Sequence, residues 1–150
     1  MSSRSIPVAS VSMSAPQTAL EALFTFLGRA LLTVVFFVYA PKHFGATDLG
    51  YAIAAGVPFA RFLVPASGIL ALVGSVSVLV GYQTKLGAWL LVLFLLPVTL
   101  TMHKFWGLTD PMLAQLQMAN FMRNISIIGG ALLLAQFGPG AWSLDARTRR

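Results

Sequence analysis

Apolar residues run through this chain in four long blocks separated by short polar breaks, and no stretch alternates polar with apolar as a half-buried strand would. A helix needs about 20 predominantly apolar residues to cross a hydrocarbon layer. The first block, 20–40, reads "LEALFTFLGRALLTVVFFVYA" and stops at Pro41, which has no backbone N–H to donate. The others cover roughly 62–81, 86–103 and 119–138. Only helices satisfy their own backbone groups in lipid without closing into a barrel, and the barrel's alternating pattern is missing. The pattern predicts an all-α fold, an integral membrane four-helix bundle.

The breaks are unequal. "YQTK" between the second and third spans is a tight turn, so those helices form an antiparallel hairpin. The first connection, "PKHFGATDLGYAIAAGVPFAR", and the third, "KFWGLTDPMLAQLQM", are longer, half apolar and on the same side of the membrane. Their aromatics predict short interfacial segments in the first and third loops. Residues 1–19, rich in Ser, Ala and Pro, read as a disordered tail, and 146–150 as a basic C-terminal tail around the folded part, 20–145. The first span exceeds a signal-peptide core of about 7–15 residues, so it is expected to stay as an anchor.

Composition strengthens this picture. The chain is 57% hydrophobic, only 9% charged, and has a mean hydropathy of +0.82. A soluble domain carries about a quarter charged residues, so this surface must meet lipid rather than water. The formal charge of +6 does not point to nucleic acid, because the basic residues are scattered singly apart from the terminal "RTRR". The absence of cysteine excludes thiolate chemistry and disulfide exchange by this chain alone. Arg4, Arg29, Lys85, Arg147, Arg149 and Arg150 fall on the side of the termini, against Lys42, Arg61, Lys104 and Arg123 on the loop side. By the positive-inside rule both termini face the cytoplasm.

Small residues mark close helix approach, since spans in lipid associate by packing rather than by a hydrophobic driving force. Ser67, Ala71 and Ser75, with Gly68 and Gly74 alongside, mark it in the second span, and Gly129–Gly130 in the fourth. Pro97 frees the Leu93 carbonyl and is expected to bend the third span.

Candidate chemistry lies in the polar residues. Arg29 is deep in the first span, where it either snorkels to headgroups or contacts carbonyls, or Asp145, on another segment. At the other face Lys42, His43, Arg61, His103, Lys104, Trp106, Arg123 and Asn124 converge on one rim if the spans bundle, with Asp48 and Asp110 as counter-ions. Such a rim could bind a quinone or another anion-like ligand, with a neutral histidine passing protons. Interfacial anchoring by Lys, His and Trp also explains each residue singly. The two histidines sit at helix ends, which disfavours a haem between them, and zinc needs about three or four ligands, so no metal is expected.

Several segments, in order, resemble the DoxX family: "LGRALLTVVFFVYAPKHF", "AAGVPFARFLVPASGILALVGSVSVLVG", "TMHKFW" and "FMRNISIIGGALLLAQFGPGAWSLD". The resemblance covers roughly residues 20–145. It implies a small four-helix protein of the bacterial inner membrane, associated with quinone-linked redox or oxidative-stress complexes. On that pattern Arg29, Lys42, His103 and Asn124 match recurrent polar positions, whereas Ala71 stands where members often carry a glutamate and Tyr39 replaces a small residue. The function this implies is a quinone-interacting subunit of a redox complex, with quinone as its cofactor. The alternatives are a non-catalytic membrane scaffold or partner subunit, and a small-molecule transporter that would need a homo-oligomer to form a path.

Overall fold

The computed structural model describes residues 17–148. Six helices follow in order: α1 (Ala19–Tyr39), α2 (Ala46–Ala54), α3 (Ala60–Val80), α4 (Thr84–Met102), α5 (Pro111–Phe137) and α6 (Leu144–Thr148), with a 3-10 turn at Ala40–Phe44 joining α1 to α2. Four of these segments are long and apolar enough to cross a membrane, which makes this a multi-pass membrane protein. Residues 1–16 of the tail expected at 1–19, and the last two residues, lie outside the described residues, and Leu144–Thr148 is a short helix.

The helix ends follow local chemistry. Thr18 caps α1 in a capping box: its side chain accepts from the Glu21 N–H at 3.3 Å while its own N–H donates to Glu21 at 2.8 Å. Asp110 caps α5, accepting from the N–H groups of Met112 and Leu113, with Pro111 at the first helical position. That start corrects two expectations. The fourth span begins at Pro111 rather than near 119, so the third connection carries no separate interfacial helix, and Asp110 serves the helix end rather than the rim cations. The first connection does hold an interfacial helix, α2.

Packing is inverted relative to a soluble bundle. Large apolar side chains face outward, with Phe62 77% and Phe137 80% exposed, while Arg29, Thr33, Ser75, Thr99 and Asn124 are buried. The apolar core joins Phe36, Ala71, Val78, Leu91, Leu95 and Ile128 from all four spans. Because Ala71 is fully buried there, a glutamate at its position would need a buried partner.

The α3–α4 hairpin is pinned at Gly74, where a Cβ would come within 3.0 Å of the Gly87 carbonyl oxygen. Gly130 faces Leu32 of α1 at similarly close range, whereas Gly129 opens into free space. Only one glycine of that pair is a packing residue. Helix α4 continues through Pro97 to Met102. It packs along both α3 and α5, and α1 leans on α3 but scarcely touches α5. The gap between α1 and α5 shapes the site.

Candidate ligand cavity at the loop-side rim

The two ends of the bundle use their charged residues differently. At the end holding the termini, Arg29 is 1% exposed. Its guanidinium donates to the carbonyls of Val78 (3.3 Å) and Leu79 (2.9 Å) at the C-terminus of α3, and to that of Trp142. Those α3 carbonyls belong to the last turn, which has no helical N–H to pair with and carries the negative end of the helix dipole. Nε finds no hydrogen-bond partner among the described residues. The arginine therefore ties helices together instead of snorkelling to headgroups.

Asp145 completes this end. Its carboxylate accepts from the N–H groups of Gln83 (2.7 Å) and Thr84 (2.9 Å) and from the Thr84 hydroxyl (2.9 Å), while its own N–H donates to Gly81 at 2.8 Å. Gly81 has φ 71° and lies against Ser143 and Arg29, so a Cβ there would collide with both. A shallow hollow of about 820 Å³ beside Leu23, Phe26 and Trp142 does not include Arg29 among its lining residues.

At the loop-side end a cavity of about 530 Å³ opens between α1 and α5. The first connection contributes Lys42, His43, Asp48 and Tyr51. The end of α4 adds His103, and α5 adds Gln117, Asn120, Arg123 and Asn124. Its apolar wall comes from Val35, Phe36, Phe94, Leu95, Val98 and Ile127.

Local geometry explains how these side chains are held. Gly68 of α3 lets the 3-10 turn press in, because a Cβ there would sit 2.8 Å from the His43 Cβ and 3.2 Å from the Ala40 carbonyl oxygen. His43 then packs, tilted by 56°, with its ring centroid 5.5 Å from that of Phe94, its Nδ1 lying 3.4 Å from both the Tyr39 carbonyl and the Asp48 carboxylate. His103 Nδ1 is 2.9 Å from Gln117 Oε1. Buried Asn124 donates to Thr99 Oγ1 at 3.1 Å, and that hydroxyl donates to the Leu95 carbonyl at 2.5 Å. Lys42 Nζ and Arg123 Cζ lie 4.7 and 5.7 Å from the centroid of the Tyr39 ring. Neither cation has an acidic partner within ion-pair distance among the described residues.

The structure thus brings together five of the eight rim residues expected from sequence: Lys42, His43, His103, Arg123 and Asn124. Arg61 and Lys104 are exposed and do not line the cavity. Trp106 lies outside it too, edge-on to Phe105 and Phe121 at 5.2 and 6.0 Å. Tyr51, Gln117 and Asn120 were not singled out by sequence. Gln117 and Asn120 continue the α5 face of Arg123 and Asn124 at helical spacing; for Gln117 that signal was masked by a helix start placed at 119. Among the described residues no three His, Cys, Asp or Glu side chains come close enough together to hold a metal ion.

Fold and cavity together define a small multi-pass helical membrane protein with a polar pocket at its loop-side face. The chain belongs to the SURF4 family, whose model matches residues 26–150. It is similar to inner membrane protein YphA of Escherichia coli, at 28% identity over 81% of this chain and 87% of the relative. It is also similar to the Surfeit locus protein 4 homolog of Schizosaccharomyces pombe, at 28% identity over 84% of this chain but only 38% of the relative. A third likeness is to the ER-derived vesicles protein ERV29 of Saccharomyces cerevisiae, at 31% identity over 54% of this chain and 26% of the relative. The chain therefore spans most of the bacterial relative and well under half of the two yeast ones. No solved structure matches it.

Membership of this family corrects the DoxX reading, and with it the quinone-interacting redox subunit that the reading implied. The physical reason is visible in the motifs. "SLD" is the cap and latch of the α3–α4 turn, and Gly130 is a packing contact. Asn124 is tied to Thr99. Residues of these kinds tie and pack a helical bundle in any membrane protein, whatever its chemistry.

Proposed function

We propose that this chain is a non-catalytic membrane partner protein that binds a ligand at the loop-side rim and does not transform it. The observation that supports this is the cavity itself. It gathers polar side chains from the first connection, α4 and α5 above an apolar wall, and two of its cations face it without acidic partners among the described residues. Pockets of about 300–1,000 Å³ with a few convergent polar groups are the usual form of a binding site. Lys42, His43, His103, Arg123 and Asn124 face the ligand, while Arg61, Lys104 and Trp106 anchor the same rim in the interface.

The E. coli relative is named an inner membrane protein, and we place this chain in the cytoplasmic membrane by analogy. The excess of basic residues on the side of the termini puts both ends in the cytoplasm and the cavity on the opposite face. With no native cysteine, the variants Lys85→Cys and Tyr51→Cys report orientation by labelling with an impermeant reagent in intact cells. Tyr51→Cys should label and Lys85→Cys should not, and the reverse pattern inverts the topology.

Binding is tested by placing a photo-crosslinking amino acid at Tyr51, inside the cavity, or at Ile69, on the outer face of α3, in native membranes. A discrete adduct from position 51 that position 69 does not give is expected. Identical diffuse lipid adducts from both positions would remove the proposal.

A further inference from the structure

We infer that the cavity between α1 and α5 takes an anionic amphiphile from the bilayer: a carboxylate or phosphate head seated between Lys42 and Arg123, with an acyl chain running inward along the apolar wall. The inference rests on the reading of this cavity as a binding site and goes beyond it by naming the ligand class.

The head position follows from charge. Lys42 and Arg123 both lie by the Tyr39 ring, at 4.7 and 5.7 Å from its centroid, and neither meets a carboxylate among the described residues. Like charges beside the same ring repel, and at a membrane edge the surrounding dielectric screens them less than bulk water does. Asp48, the acidic side chain lining the cavity, is turned to His43 at 3.4 Å. An anion between the two cations would compensate both, with the amides of Asn120 and Gln117 on the same α5 face as additional donors.

The tail position follows from depth. Helix α1 climbs toward this rim and α5 descends from it, so Val35 and Ile127 lie one turn, about 6 Å, deeper than Tyr39 and Arg123. At that depth the lining changes to Val35, Ile127, Phe94, Leu95 and Val98. Contact between α1 and α5 is sparse, so a chain can pass sideways between them from the lipid. Charge above and hydrocarbon below, with a lateral gap, match an acidic single-chain lipid better than a soluble anion, which has no use for the wall, or an acidic peptide, whose backbone would find few partners there.

The test uses the full chain in phosphatidylcholine nanodiscs, with lysophosphatidic acid, an uncharged monoacylglycerol of the same chain length, inorganic phosphate and an acidic peptide as probes, read by native mass spectrometry. Lysophosphatidic acid should bind saturably and about ten-fold more tightly than the monoacylglycerol. Lys42→Gln and Arg123→Gln should each weaken it about ten-fold, and Arg123→Lys should restore most of the loss. Arg61→Gln and Lys104→Gln remove the same charge at the same rim outside the cavity and should leave binding unchanged. Thermal unfolding confirms that each variant is folded.

Equal binding of charged and uncharged lipid would overturn the inference. So would equal losses from the Arg61 and Arg123 variants, which would mean surface electrostatics only. Displacement of the lipid by phosphate or by the acidic peptide alone would assign the cavity to a soluble ligand instead. A discrete adduct at position 51 together with failure to bind lysophosphatidic acid leaves the binding function standing and removes only this ligand class.

Discussion

The two ends of the bundle draw on the same stock of side chains and reach opposite outcomes. At the end holding the termini, Arg29 and Asp145 are consumed by structure: carbonyls left open by α3 take the guanidinium, and N–H groups left open by α4 take the carboxylate. At the loop end Lys42 and Arg123 lie beside one aromatic ring, with no acidic partner among the described residues, at the edge of a cavity. An ionisable residue in a membrane protein therefore does not announce a function by its presence. What separates a tie from a site is whether nearby helix ends supply its partners.

That contrast can be broken by substitution. The largest effect is expected from Arg29→Ala, which removes two hydrogen bonds to α3 and one to the segment after α5, and leaves a void. It should cost about 2–4 kcal/mol of stability in detergent, measured by thermal or denaturant unfolding, while the surviving folded fraction keeps its cavity. A wild-type melting curve for this variant would mean that Arg29 does not hold the closed end together.

Gly68→Val comes next, because its side chain would displace the His43 turn from α3. A loss of about 1–3 kcal/mol is expected, with the discrete photo-adduct from position 51 disappearing as the turn moves. Asp145→Ala should cost about 1–2 kcal/mol through the lost cap of α4 and leave that adduct intact. Loss of the adduct in this variant would show that the two ends are coupled rather than independent. Smallest of all, Arg61→Ala and Lys104→Ala should each change stability by less than about 0.5 kcal/mol, since both side chains are exposed.

Much of the architecture could be read from the chain. The expected spans 20–40, 62–81 and 86–103 meet α1, α3 and α4 within two residues at each end, because length in apolar residues is the property that lipid imposes. The fourth began too late because "PMLAQLQM" mixes polar and apolar residues, and the Asp110–Pro111 cap ahead of it was read as a loop. The rim cluster was legible as a level in the membrane, since four antiparallel helices must bring alternate ends together. Membership of the cavity was not legible, because Arg61 and Lys104 share that level with Arg123 but lie outside it.

Apolar run length, Pro and Gly breaks and the scarcity of charge determined by themselves that this chain crosses a membrane on four helices, since each depends on neighbours along the chain. The partners of each polar residue were decided only by the tertiary structure. Arg29 meets carbonyls about 50 residues away, and His43 sits where it does because α3 carries a glycine at position 68. A gap between two helices that barely touch is a property of packing, and no local pattern encodes it.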